Sequence, residues 1–289
     1  MIEKPLVSVI INCYNGEKYL REAIDSVIAQ TYENWELVFW DNQSTDSTRE
    51  IVESYKNPKI HYYYASEHTP LGEARNLAVE KANGEYINFL DADDVWSSNK
   101  LDEQVKLIVP GKVEVVYTPF EIIYGENTKP SKKMLRNYDR LISHTLYKGD
   151  IYTKILEENY IIFSGILFNK KLFIEVGGVN GSFQQYEDWD LLLKTALSTQ
   201  FGVAKGAKTF YRIHGSNNTT KNGRSAVLEM RVILSSLPQS RAVERAIKRN
   251  ETRYAYHFLF KEWKVLEGLK HIANYGTLHG FLIEALNKL

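Results

Sequence analysis

An α/β fold, a mostly parallel sheet with helices on both faces and a helical continuation at the C-terminus, is the architecture this 289-residue chain predicts. Three observations carry the expectation. Strand-like and helix-like periodicities alternate over the first 120 residues in a βαβαβαβ order. Polar residues collect where several of those strands stop. Beyond Ser225 strand signals fade and the remainder reads as helical.

Taken in order, Val7–Ile11 reads as a buried strand, and residues 17–30 as a helix with Leu20, Ala23, Ile24, Val27 and Ile28 on one face. Residues 36–40 form a second strand ending in Asp41. Asp46 then suits the cap of a helix carrying Ile51, Val52 and Tyr55. Residues 59–64 are a third strand. Residues 72–83 are a helix closed by Gly84, a suitable left-handed terminator, and residues 85–90 a fourth strand. Val113–Tyr117 and Phe120–Tyr124 are short strands, followed by a polar, lysine-bearing loop over 125–136. Ile161–Phe168 is expected as a strand, a helix starts at Glu187, and residues 208–213 form a last strand leading into His214. The expected domains are 1–220, holding the sheet, and 221–289, the helical extension.

Bulk properties exclude several classes. Hydrophobic residues make up 44% and charged residues 25%, with a formal net charge of zero, so nothing suggests nucleic acid as a partner. A single cysteine, Cys13, rules out an intrachain disulfide and fits a reducing compartment. Nothing approaches 18 consecutive apolar residues, and the run Leu6–Ile11 is too short for a signal core. A cytoplasmic protein is expected. No Gly-x-Gly-x-x-Gly follows any strand, which argues against a dinucleotide oxidoreductase. With one glycine, Asn12–Leu20 lacks the basic, glycine-rich loop that a nucleotidyltransferase would want.

In parallel α/β sheets ligands bind beyond the carboxyl ends of the strands. Here that edge gathers Cys13, Tyr14 and Asn15 after strand one, Asp41-Asn42 after strand two, and Asp91-Ala92-Asp93-Asp94 after strand four. Crowded carboxylates raise one another's pKa, whereas a divalent cation is stabilised by them, and Mg2+ is usually held by one or two carboxylates together with substrate phosphates. The acid cluster therefore suggests a metal–diphosphate site, with helix capping by Asp91 or Asp94 as the plainer reading. Asp41 could accept the imide N–H of uracil or thymine, which cytosine lacks, or cap the following turn. Arg75, near a helix start, could reach a phosphate or stay solvated. Glu187 and Asp188 open a helix, where the dipole alone favours acids, yet a carboxylate there could also serve as general base. His214 is either a structural histidine or a contact to metal or phosphate.

The order of these features resembles glycosyltransferase family 2, the large family of GT-A-type sugar-nucleotide transferases. The resemblance covers roughly residues 5–218 and rests on four ordered stretches: Val7–Thr48, Gly72–Asp94, Gly177–Ala196 and Tyr211–Thr219. It implies an inverting, non-processive enzyme on a GT-A-type, Rossmann-like sheet, since no Gln-x-x-Arg-Trp motif is present. By the same resemblance Cys13, Tyr14 and Asn15 line the nucleotide pocket, Asp41 reads the base, and Arg75 and Asp91 lie near the nucleotide. Asp93 holds a Mn2+ or Mg2+ ion, with His214 as a further metal or phosphate contact. Asp188 is the catalytic base, with Glu187 and Trp189 on the acceptor side. A UDP-sugar donor and a glycan or lipid-linked acceptor are the implied partners. Two positions depart from the family pattern: Cys13 stands where threonine is usual, and Asn42 where a second aspartate is common. A non-catalytic sugar-nucleotide-binding scaffold is the alternative.

Residues 241–270 carry eight Lys/Arg and four Glu, interleaved with Tyr254, Tyr256, Phe258, Phe260 and Trp263. The segment is either a helix packed on the core with a basic outer face, or a peripheral contact with an anionic membrane on which lipid-linked acceptors reside.

Overall fold

The structure, a computed structural model, describes residues 4–126, 128–130, 132–215 and 223–260. In chain order the elements are β1 (Val7–Cys13), α1 (Leu20–Ile28), β2 (Trp35–Asp41), α2 (Thr48–Ser54), β3 (Ile60–Tyr64), α3 (Leu71–Lys81) and β4 (Tyr86–Phe89). There follow β5 (Val95–Trp96), α4 (Lys100–Val105), β6 (Val113–Tyr117), β7 (Phe120–Tyr124), α5 (Lys132–Ile142) and α6 (Tyr152–Glu157). The rest are β8 (Ile166–Asn169), α7 (Lys170–Glu175), α8 (Glu187–Ser198), β9 (Gln200–Val203), β10 (Thr209–Ile213), α9 (Gly223–Ser236) and α10 (Arg241–Phe260).

Seven strands form the main sheet in the order β3-β2-β1-β4-β8-β6-β9, with β8 alone antiparallel to its neighbours. The unbroken apolar run of β1 suits an interior strand covered on both faces, and Ile10 indeed pairs with Val38 on one side and Phe89 on the other. Period-two alternation sends Val7, Val9 and Ile11 to one face, where they pack with Leu20, Ile24 and Val27 of α1 and Leu101 of α4. Ile10, Val38 and Phe89 face the opposite layer, packing with Ala74 and Ala78 of α3 and Leu191–Leu193 of α8. Met230, Ile233 and Leu234 of α9 and Val243 and Ala246 of α10 belong to that same core. None of the helices described is long and apolar enough to cross a membrane.

A second sheet, β5-β10-β7, pairs β5 antiparallel and β7 parallel to β10. Because β5 starts at Val95, directly after the acid cluster, this small sheet brings the end of β10 to the acids.

Three local expectations need correction. The strand expected over Ile161–Phe168 is split: Phe163–Gly165 forms a 3-10 turn, and β8 starts only at Ile166. Side chains take the turn's carbonyls, Trp96 Nε1 donating to Ser164 O (2.7 Å) and Gln104 Nε2 to Gly165 O (2.9 Å). The loop expected over 125–136 becomes helix from Lys132, a stretch rich in Lys, Arg, Met and Leu, all good helix formers. Gly84 does not adopt the left-handed conformation; α3 stops at Ala82 in extended backbone. Glycine is needed at 84 by close approach, since a Cβ there would lie 2.6 Å from Ser8 N.

Candidate functional site

Parallel β1, β2 and β4 deliver their C-terminal residues to one edge. There the chain after β1 is tied to the turn after β2: Asn42 N donates to Cys13 O (2.8 Å), Asn15 N to Ser44 Oγ (2.9 Å) and Thr45 N to Asn15 Oδ1 (2.8 Å). Asn15 takes a positive φ of 55°, which asparagine's short polar side chain tolerates. Tyr14 is 55% exposed and meets the ring of His68 edge to face at 4.5 Å. Cys13 turns inward, its Sγ 3.9 Å from Thr48 Oγ1, and burial above all pushes its thiol up to about 12. Asp41 is fully buried, its two oxygens accepting Ser44 N–H (2.7 Å) and the Tyr62 hydroxyl (2.7 Å). The edge thus presents Tyr14, Asn15 and His68 outward, with Cys13 and Asp41 beneath.

The acid cluster is held by β10 and by the 3-10 turn. Arg212 N donates to Asp94 Oδ1 (2.9 Å), Arg212 Nε to Asp93 O (2.8 Å), and Asp91 N to Ser164 Oγ (3.1 Å). Asp94 is therefore an anchor for β10, well away from capping α4. Burial and the charges of Asp91 and Asp93 hold its carboxyl well above the usual range. Asp93 faces His214, whose Nε2 lies 2.7 Å from Asp93 Oδ2. Burial and Asp91 raise the Asp93 carboxyl, while His214 works in the other direction. Among the described residues no group of three His, Cys, Asp or Glu is placed to hold a metal. Asp93 and His214 offer one carboxylate and one imidazole, a donor pair that suits Mn2+ or Mg2+ only if diphosphate oxygens and water fill the remaining positions.

Arg75 joins this cluster to the start of α8. Its guanidinium, 5% exposed, bonds Asp91 Oδ1 (3.2 Å) and Glu187 Oε1 (3.1 Å) and lies 4.2 Å from the centre of the Phe163 ring. It is no solvated surface group. The next residue, Asp188, accepts Trp189 N–H (2.6 Å) and Asn159 Nδ2–H (3.3 Å). Burial first, then the charge of Glu187, push its carboxyl up to about 7, against the pull of Arg75. Trp189 turns into the core, its indole N–H donating to Ile155 O (2.8 Å), so it supports Asp188 from below instead of lining open space.

Asp93, His214, Asp91, Arg75, Glu187 and Asp188 therefore form one connected set. Four neighbours were not legible in the sequence. Asn159 sits in a stretch without any motif, Arg212 lies within the Tyr211–Thr219 stretch but drew no role of its own, Tyr62 looks like an ordinary strand residue, and His68 lies in a polar loop. Only the position of Arg212, two residues before His214 on the same strand end, offered a signal.

The family described as "Glycosyl transferase family 2" matches residues 8–177. WfgD of Escherichia coli, a UDP-Glc:alpha-D-GlcNAc-diphosphoundecaprenol beta-1,3-glucosyltransferase, is 32% identical over 176 residues, 56% of this chain and 70% of its own. The first three curated relatives are only partly spanned, this chain covering 59%, 41% and 58% of their lengths. Among solved structures, residues 1–349 of S. aureus TarS in complex with UDP-GlcNAc superpose with a TM-score of 0.67 at 19% identity, covering 89% of this chain and 74% of that one. The mannosyltransferase PcManGT from Pyrobaculum calidifontis, in complex with GDP-Man and Mn2+, gives 0.61 at 18% identity, covering 99% and 80%. At such identities the likeness speaks for a shared fold.

Proposed function

The chain belongs to glycosyltransferase family 2, and from that membership we propose that it is a metal-dependent, inverting transferase. It moves a sugar from a nucleoside-diphosphate donor, a UDP-sugar, to an acceptor hydroxyl in bacterial polysaccharide or glycoconjugate assembly. One observation carries the reading: a single guanidinium, Arg75, links the acid cluster after β4 to the N-terminus of α8, beside Asp188.

Asp93 and His214 would hold the cation, which when bound supplies Lewis-acid stabilisation of the leaving diphosphate, worth several kcal/mol. Tyr14, Asn15 and His68 would meet the nucleotide at the open edge, with Asp41 shaping the turn beneath them. Asp188 would take the proton of the acceptor hydroxyl as that oxygen attacks the anomeric carbon. The bond from that carbon to the diphosphate oxygen breaks with its electron pair leaving on the nucleoside diphosphate, and configuration inverts. A carboxylate at about 7 is matched to base work near neutral pH. Arg75 keeps Glu187 and Asp91 compensated so that Asp188 can ionise beside them. The UDP preference draws support from the UDP-sugar in WfgD's name and the ligand of TarS, and the metal from the Mn2+ of PcManGT. A lipid-linked acceptor follows WfgD's name.

The test is a thermal-shift panel of UDP, dTDP, GDP and CDP, each with Mn2+, Mg2+ or EDTA. A ligand at ~100 times its Kd adds about 2.7 kcal/mol of stability, enough to read as a melting shift. Selective stabilisation by UDP that EDTA removes is expected. A flat panel would sink the donor assignment and favour a scaffold.

A further inference from the structure

The loop leading into α8 has an anchor outside the sheet. Gln184, Gln185 and Tyr186 precede the first helical residue, and their amides donate to one carboxylate, that of Glu229 on α9, at 2.9, 2.9 and 3.1 Å. A loop usually gives such groups to water. Three charge-assisted bonds on one acceptor instead define the path of the backbone immediately before Glu187 and Asp188. Glu229 is itself fixed. Its neighbour Met230 is buried in the core shared with Leu191–Leu193 of α8. Arg231 forms a two-pronged ion pair with Glu251 of α10 (2.8 and 2.6 Å), and Asn250 Nδ2 donates to Val227 O (3.1 Å). Arg249 of α10 reaches back to Leu156 O (2.7 Å), at the end of α6, whose Ile155 O receives the Trp189 indole. The two C-terminal helices therefore grip both sides of the segment that presents Asp188.

We infer that Glu229 is a positioning residue for Asp188: by holding the Gln184–Tyr186 backbone it sets the place of the base, so that the helical extension completes the site. The inference rests on Asp188 being the base, but its test does not use turnover. Amide hydrogen exchange and carboxyl carbon NMR would be followed in the full chain for wild type, Glu229→Gln and Glu229→Ala. Exchange at Gln184, Gln185 and Tyr186 should quicken at least 10-fold in Glu229→Ala, with β1 and β4 unchanged. Once its loop is released, the Asp188 carboxyl becomes solvated among Glu187, Asp91, Arg75, Tyr186 and the Asn159 amide. Its titration midpoint should then fall from about 7 by more than one unit. The melting temperature and far-ultraviolet circular dichroism of wild type and variants, without ligand, serve as the folding control. If Glu229→Ala unfolds the chain, the isosteric Glu229→Gln carries the same two readouts. Unchanged amide exchange overturns the anchor. Faster exchange with an unmoved Asp188 titration leaves Glu229 a local cap and overturns the positioning role.

Discussion

Asp188 meets its neighbours at hydrogen-bond range, and two predictions follow from that environment. As the proposed base it must be ionised, so kcat should rise with pH through an apparent pKa near 7. Asp188→Asn should lose transfer by roughly 10²–10⁴-fold while keeping stabilisation by UDP and metal. Wild-type turnover in that variant would remove the base assignment. Linkage gives a second readout. The folded carboxyl titrates at about 7 against 3.8 in an open chain, so between those values the native state holds a proton the unfolded state has released. Stability therefore falls as pH rises through that window, and the contribution is lost above about 7. Asp188→Asn abolishes this slope, so its melting temperature should gain on wild type more at pH 8 than at pH 5. Arg75 is the counterweight. Arg75→Met leaves Asp91 and Glu187 facing each other across a buried gap, at roughly 2–4 kcal/mol, the lower end because Asp91 is 38% exposed. It should also move the acid limb of the rate profile upward; a limb that stays in place would show that Arg75 does not act on Asp188.

Between elements, the clamp at the opposite end of the sheet decides whether β1, β2 and β4 keep their alignment. Glu36 of β2 accepts the Ser8 hydroxyl of β1 (2.5 Å) and the Asn83 backbone and side-chain amides (2.6 and 3.0 Å), while Gly84 N donates to Ser8 Oγ (2.7 Å). Burial opposes the Glu36 charge, but the bonds from Asn83 and Ser8 prevail and hold its carboxyl below 4.5. A depressed carboxyl stabilises the fold above its open-chain value, and that stability is lost as pH falls through the folded value. Glu36→Gln should thus cost about 1–3 kcal/mol at pH 7, by chemical denaturation, with the gap to wild type narrowing as pH falls through the lowered Glu36 value. A gap independent of pH would show that the charge contributes nothing. Gly84→Ala should cost about 1–3 kcal/mol, because its methyl would displace Ser8 from this network.

At the scale of the molecule, α9 and α10 share the core of the sheet domain, so the helical extension expected over 221–289 is stitched to residues 1–220 along its described part. Deleting residues 221–289 would uncover the apolar face under Met230, Ile233, Leu234 and Val243. A lower melting temperature and aggregation are expected, and a truncated chain as stable as the whole would refute this. Of the basic aromatic segment 241–270, residues 261–270 lie outside the described residues. Within α10, Val243 and Ala246 face the core, and Arg249 and Glu251 are spent on neighbouring elements. What could be read from the chain alone was whatever repeats locally. Period-two and helical spacing located β1, β2, β6, β7 and α8, and the polar ends of β1, β2 and β4 marked the edge where the site lies. The 3-10 turn at Phe163 was missed because side-chain bonds from Trp96 and Gln104, distant in sequence, override local preference there, whereas α5 follows from its own helix formers, which the polar, lysine-bearing composition of the stretch masked. Whether Asp41 opens outward or turns in depended on Tyr62, a neighbour across the sheet. Composition and spacing determined the fold class and the residue types available for chemistry. Tertiary structure decided which of them meet: Asp93 and His214, 121 residues apart, touch because β5 pairs with β10, and Arg75 reaches Glu187 across 112 residues because α3 and α8 pack on one face of the sheet. Such contacts are set by the balance of burial and pairing over the whole chain, which no local pattern encodes.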